Sequence, residues 1–189
     1  MCCPAVGWLN NATLGVAGPI IVDGAKRDRA VWPGDMGIAV PTQFVSTYDL
    51  LPTKNALATQ FSAINPKTGA LPESGAFMSC FFLLSSLMLT IAITPGPPLS
   101  QLGSDTYHCH TVIGVHNYWL FSGDIDFVQT LWPNYTLAIG YLAGRVDSSG
   151  LVKVLGTRDW ARLGQSGHNA ATNALYNKVR DPHIHVFFR

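Results

Sequence analysis

Tyr107-His-Cys-His-Thr-Val-Ile-Gly-Val-His-Asn-Tyr-Trp-Leu-Phe121-Ser-Gly-Asp124 is the stretch from which the fold can be read. Tyr107, Thr111, Gly114, Tyr118 and Phe121 recur at steps of three and four, the period of one helical face. Gly123 supplies the left-handed residue that commonly ends a helix, and Asp124 an oxygen able to cap the next. Beyond it, Val128, Leu131, Tyr135, Ala138, Leu142 and Val146 keep the same steps. Pro133 is expected to kink this second helix or divide it. Two amphipathic helices joined by so short a turn must pack antiparallel, which makes an αα-hairpin and an all-α chain.

Working outward, the spacing predicts a helix from Asp35 with Ile38, Pro41, Phe44 or Val45, and Tyr48 in phase. Pro41 would kink it or start a shorter one. A further helix, roughly Thr53 to Ile64, carries Leu57, Phe61 and Ile64 on one face and stops at Asn65-Pro66. Before both, Gly18-Pro-Ile-Ile-Val22 reads as a short strand or extended lead-in. After the hairpin, Asp147-Ser-Ser-Gly150 is a turn and Leu151-Val-Lys-Val-Leu155 a short strand feeding Arg158-Asp-Trp160. A last helix runs from near Gly167-His-Asn to about Val179.

The 189 residues suffice for one ordinary domain with a sizeable core. A formal charge of +1 and the lack of any basic run exclude a phosphate-tracking surface, so nucleic acid is not an expected partner. Cys2, Cys3, Cys80 and Cys109 show no repeated spacing, hence no disulfide framework. Met-Cys-Cys-Pro-Ala-Val-Gly-Trp lacks the basic and apolar regions of a signal peptide. Asn11-Ala-Thr13 and Asn134-Tyr-Thr136 are glycosylation sequons, which point weakly toward secretion and leave the compartment open.

Charged residues make up only 12% of the chain, yet Asp23-Gly-Ala-Lys-Arg27-Asp28-Arg-Ala-Val-Trp32-Pro-Gly-Asp35 gathers three carboxylates, two arginines and a tryptophan. A sugar-cleaving site needs such a set: one carboxyl to protonate the leaving oxygen, others to hold hydroxyls, and a flat ring against the sugar's apolar face. A solvated turn with local Arg–Asp pairs would use the same residues.

Asp23 to Asp35, followed by Met-Gly-Ile-Ala-Val-Pro-Thr-Gln-Phe, resembles the catalytic segment of α-L-rhamnosidases, the six-hairpin glycosidases of glycoside hydrolase family 78. Gly156-Thr-Arg-Asp-Trp-Ala-Arg-Leu-Gly-Gln165 is also similar to that family, especially its fungal members. The family pattern is an Asp, a short spacer, Arg followed by an acid, then Trp and a Gly-Asp pair. Asp23, Arg27, Asp28, Trp32 and Gly34-Asp35 occupy those places. The acid is usually Glu and here is Asp28, and Gly24-Ala25 stands where the family often has a longer spacer with Cys-Pro. The resemblance implies an (α/α)6 toroid, inverting hydrolysis of terminal α-L-rhamnose, and Asp28 as general acid. It implies Asp23, Arg27, Trp32, Asp35, Asp159 and Trp160 as substrate contacts and a rhamnose-containing glycoside as partner; no cofactor or metal is expected. The family's base is a Glu on a later loop, so residues 1–179 are expected to be a partial, incomplete barrel with little activity alone.

Residues 76–95 contain no charge and are long enough to span a bilayer. No Lys or Arg lies between Lys67 and Arg145, so the basic flank of a span is missing, and a span would separate Asp28 from Arg158-Asp-Trp160. A membrane is therefore not the expected partner. Removing 76–96 joins Gly75 to Pro97 without a gap against the resembled family, and translated intron sequence is the expectation. The transcript tests it. Residues 180–189 drop the helical period and read as a tail foreign to the family.

Glu73 is a second candidate acid, in a loop after a helix, although Glu is so often exposed that a surface position is expected. His108 and His110, two apart on a helix, point to different faces and cannot easily share an ion. Packing or hydrogen bonding is expected of them, and a cap-region place of His168. Trp119, Trp132, Tyr135 and Tyr141 follow helical spacing and belong to the core. Rival readings are a six-hairpin glycosidase of other sugar preference, a non-catalytic carbohydrate-binding remnant, and a small membrane protein anchored by 76–95.

Overall fold

The computed structural model describes residues 19–23, 31–74, 104–155 and 166–181, and the backbone of 158–159 and 162–163. Arg27, Asp28, Trp160 and the apolar stretch 76–96 lie outside the described residues, as does the tail from Pro182 onward. The described chain is all-α in character: α1 (Pro33–Ser46), α2 (Leu51–Ser62), α3 (Asp105–Ser122), α4 (Ile125–Ala143) and α5 (Ala170–Val179). Arg158–Asp159 (β1) and Arg162–Leu163 (β2) form a two-residue antiparallel ladder.

The hairpin that the sequence predicts is present. Gly123 ends α3 at φ 64°, and the Asp124 carboxylate accepts from the Phe127 amide to open α4. Cross-helix partners fix the antiparallel register: Tyr118 meets Phe127, His108 meets Ala138 and Tyr141, and Asp105 meets Arg145. The face of α4 is as predicted, with Val128, Leu131, Tyr135, Ala138 and Leu142 buried. Pro133 does not divide this helix. It and Gln129 are exposed, so water can take the carbonyl that proline's missing N–H leaves without a partner.

One-sided amphipathicity fails for α3. Val112, Ile113 and Val115 are buried along with Tyr107, Thr111 and Tyr118, because α3 is surrounded by α1, α2, α4 and α5. A helix contacted by four others along most of its length needs no polar face there, and only its last turn, with Leu120 and Phe121, is exposed.

The face expected of α1 is right at Phe44 and wrong elsewhere. Pro33, Met36, Val40 and Phe44 are buried, whereas Ile38 is 82% exposed and Val45 and Tyr48 also face solvent. The reason lies in two glycines. Gly34 sits against the Tyr107 ring and Gly37 against the His110 imidazole, so closely that a methyl at either would overlap the ring. Close approach between α1 and α3 outweighs the count of apolar side chains. Pro41 lies inside α1 and neither ends nor restarts it.

Further corrections concern extended segments. Of the strand or lead-in expected before α1, residues 19–23 form no strand: the Ile21 amide donates to Pro52 O at 3.3 Å, and a helix end offers no extended neighbour along which a ladder could grow. Leu151–Leu155 makes only isolated bridges, Val146 with Val152 and Val154 with Gly167. There the Asn173 side chain acts as the missing strand, accepting from Val152 N at 2.8 Å and donating to Val152 O at 3.1 Å.

No helix among the described residues is long and apolar enough to cross a membrane.

Candidate functional site

The flanks of the acidic segment are moored on α2. On one side Asn55 Nδ2 donates to Pro19 O at 2.6 Å, and on the other the buried Gln60 Nε2 donates to Val31 O at 2.9 Å. Five residues of α helix separate Asn55 from Gln60, about 7.5 Å at 1.5 Å per residue. Pro19 and Val31 are therefore both tied to α2, through side chains on different faces of that helix. Asp23 is buried at one end. At the other, Trp32 is half-buried as the residue preceding α1, and Asp35 is exposed in the first turn of α1.

Trp32 also connects the segment to α3. Its ring meets Tyr107 edge-on, with centroids 5.9 Å apart and planes at 81°. Its indole Nε1 is buried without a hydrogen-bond partner.

One residue further along α3, His108 holds a second loop. Its Nδ1 accepts from the Leu71 amide at 3.2 Å, which leaves the proton on Nε2 to donate to Ala138 O at 2.9 Å. Burial drives its pKa down to about 4, against the stabilising bond to Ala138, and the Arg145 charge pushes the same way as burial. His108 is thus a neutral structural pin at ordinary pH. That agrees with the hydrogen-bonding role expected of it, and no His, Cys, Asp or Glu cluster suited to a metal occurs among the described residues.

The pinned loop is rigid. Lys67 N and Thr68 N donate to Asn65 Oδ1, Gly69 N donates to Asn65 O, and Asn65 N donates to Ala70 O. Gly69, at φ +80°, lies so close to the Leu137 carbonyl that a side chain has no room. The loop delivers Leu71-Pro-Glu-Ser74, all four buried. Glu73 is not the surface residue expected: it is 8% exposed. The cause is tertiary, since the His108 and Gly69 anchors draw its loop inward.

A third segment is tied to the first turn of α3. Asp105 accepts from the Leu155 amide through Oδ2 at 3.1 Å and from Arg145 through Oδ1. Arg145 in turn lies over the Tyr141 ring at 4.6 Å. Leu155 leads directly to β1, which contains Asp159. The start of α3 therefore gathers three connections, from Trp32, from Leu71 and from Leu155.

No family model and no curated protein matches the chain. The chemistry has to be argued from the residues. Among the described residues, Asp23 and Glu73 are buried carboxylates and Trp32 is a half-buried aromatic, the residue types that can grip hydroxyls and pack on a sugar ring. A separate cleft of about 130 Å³ lies between α1, α3 and α5, lined by Met36, Val40, His110, Ile113, Asn117 and Lys178. It is smaller than the roughly 300 Å³ at which ligand pockets begin and has no carboxylate, so it is not the candidate site.

Sequence reasoning missed Asp105, Arg145 and Ser74. One signal was present: Arg145 is the first cation after Lys67, and so isolated a charge in an apolar stretch needs a buried partner.

Proposed function

We propose that this chain belongs to an α-L-rhamnosidase-like six-hairpin glycosidase, its hairpins forming part of an (α/α)6 toroid. The resemblance of Asp23–Asp35 and Gly156–Gln165 is the source of the reading. The observation that supports it best is the gathering of three loops at the start of α3, two of them flanking or leading into those segments. A toroidal glycosidase assembles its site from such loops at one end of its hairpins.

In this reading Asp28 is the general acid. It donates its proton to the glycosidic oxygen as the C1–O bond breaks, while water attacks C1 from the opposite face and gives its proton to the base. Inversion requires the two carboxyls about 6.5–9.5 Å apart, with water between them. The base is the Glu that the family carries on a later loop. Asp23 and Asp35 hold hydroxyls, Arg27 orients a carboxylate, Trp32 packs on the ring, and Asp159 and Trp160 close the sugar site.

Titration with L-rhamnose, L-fucose and D-glucose tests this. L-rhamnose should bind in preference, and Trp32→Ala should weaken it about tenfold, the effect of about 1.4 kcal/mol. Equal affinity for the three sugars, or none, overturns the rhamnose reading. Preference for another sugar leaves a six-hairpin glycosidase of different specificity.

A further inference from the structure

The loop after α2 carries two buried polar groups that the fold does not satisfy. Glu73 is 8% exposed, and its Oε2 is buried with no hydrogen-bond partner. Next to it, Ser74 is fully buried and its Oγ is likewise without a partner. Native proteins rarely leave such atoms unpaired, because a desolvated carboxylate without donors costs several kcal/mol. Loops normally lie on the surface for the same reason.

The anchors that draw the loop inward satisfy neither of these groups. Asn65 and Gly69 shape the loop, and His108 fixes Leu71 two residues earlier, yet the anchors end there. An apolar pair at 73–74 would fill the same space without the desolvation penalty. A rigid loop that delivers unpaired acceptors to the end of the helical assembly where the other two segments converge is built for a guest. Holding polar groups ready, at a cost to stability, is how binding sites are preorganised.

We infer that Glu73 is a substrate-contacting carboxylate, with Ser74 beside it, that accepts hydrogen bonds from the hydroxyls of a bound sugar. The inference rests on the glycosidase reading and adds a contact that the Asp23–Asp35 segment does not supply. Vicinal hydroxyls suit the pair well. A carboxylate offers acceptors only, whereas a serine hydroxyl can donate or accept, so adjacent hydroxyls of opposite orientation can both be met. His108 is a positioning residue in this scheme, since it sets the loop and touches no sugar.

The experiment measures L-rhamnose binding and thermal melting for the full chain, Glu73→Gln, Glu73→Asp and Ser74→Ala. Glu73→Gln should weaken binding tenfold or more, the range of a hydrogen bond to a charged group, and should leave the melting temperature equal or higher. Glu73→Asp keeps the charge but retracts it by one methylene, and should also lose affinity without a lower melting temperature. Ser74→Ala should lose less. Unchanged affinity in all three, with the parent chain binding L-rhamnose, overturns the Glu73 assignment and leaves the glycosidase reading standing. A parent chain that binds no L-rhamnose overturns both. A lowered melting temperature in Glu73→Gln overturns the assignment too, because it makes the carboxylate a structural group.

Discussion

The two ends of α3 solve the same problem with different physics. At its start, Asp105 and Arg145 form an ion pair with side chains only 5% and 10% exposed, and the neutral His108 is buried beside it. At its end, Asp124 pairs with Lys54 at 2.7 Å, but those side chains are 25% and 35% exposed. Tyr118 donates to the same Asp124 oxygen, and burial followed by that bond raises its pKa to about 12. The Asp124 carboxyl is held below its ordinary value, first by the Lys54 hydrogen bond. Water screens the far end, so its polar groups adjust one another's protonation while adding little stability. The near end is dry. There each polar group both fixes a loop and becomes expensive to disturb.

Substitutions at the two ends should differ accordingly. Asp105→Ala leaves Arg145 buried without its countercharge and frees the Leu155 amide, so urea denaturation should show a loss of about 3–5 kcal/mol. A loss below about 1 kcal/mol would erase the contrast between the ends.

Acid should act through His108. Its pKa in the fold is about 4 against 6.5 when unfolded, so the unfolded chain binds more protons between those values. Its contribution is fully present above pH 6.5 and declines as pH falls toward 4, by about 3 kcal/mol. Denaturation midpoints at several pH values measure this, and His108→Asn should flatten that part of the profile. A profile as steep in the variant assigns the acid sensitivity elsewhere.

Gly69→Ala sharpens the comparison at the loop that His108 pins. A residue with a side chain at φ +80° and against the Leu137 carbonyl should lose about 1–3 kcal/mol in thermal melting. The smallest effects belong to the far end. Asp124→Ala should cost about 1 kcal/mol, as lost helix caps do, and Lys54→Ala less than about 1 kcal/mol, shrinking further in high salt. A Lys54 effect that matched the Asp105 effect would show that exposure does not separate the two ends.

Much of the helical framework was legible. The period of Val128 to Leu142 predicted the buried face of α4, and Gly123-Asp124 predicted both caps of the turn, because such local signals need only near neighbours. Leu57, Phe61 and Ile64 are buried as their spacing implies. The face of α1 was not legible, since Gly34 and Gly37 contribute to packing by what they lack. Asp23, Trp32 and Asp35 could be selected from the sequence, but that Asp23 is buried and Asp35 exposed follows from how each end of the segment is moored.

Residue order by itself determined where helices start, stop and turn, and it singled out an acidic, tryptophan-bearing segment in a chain poor in charge. Only the tertiary structure decided that α3 is enclosed along most of its length, that Glu73 is buried, and that Trp32, Leu71 and Leu155 are tied to one helical turn. Helix ends depend on residues a few positions apart, whereas these contacts join positions 37 to 75 residues distant, and no local pattern encodes which distant group will desolvate a side chain.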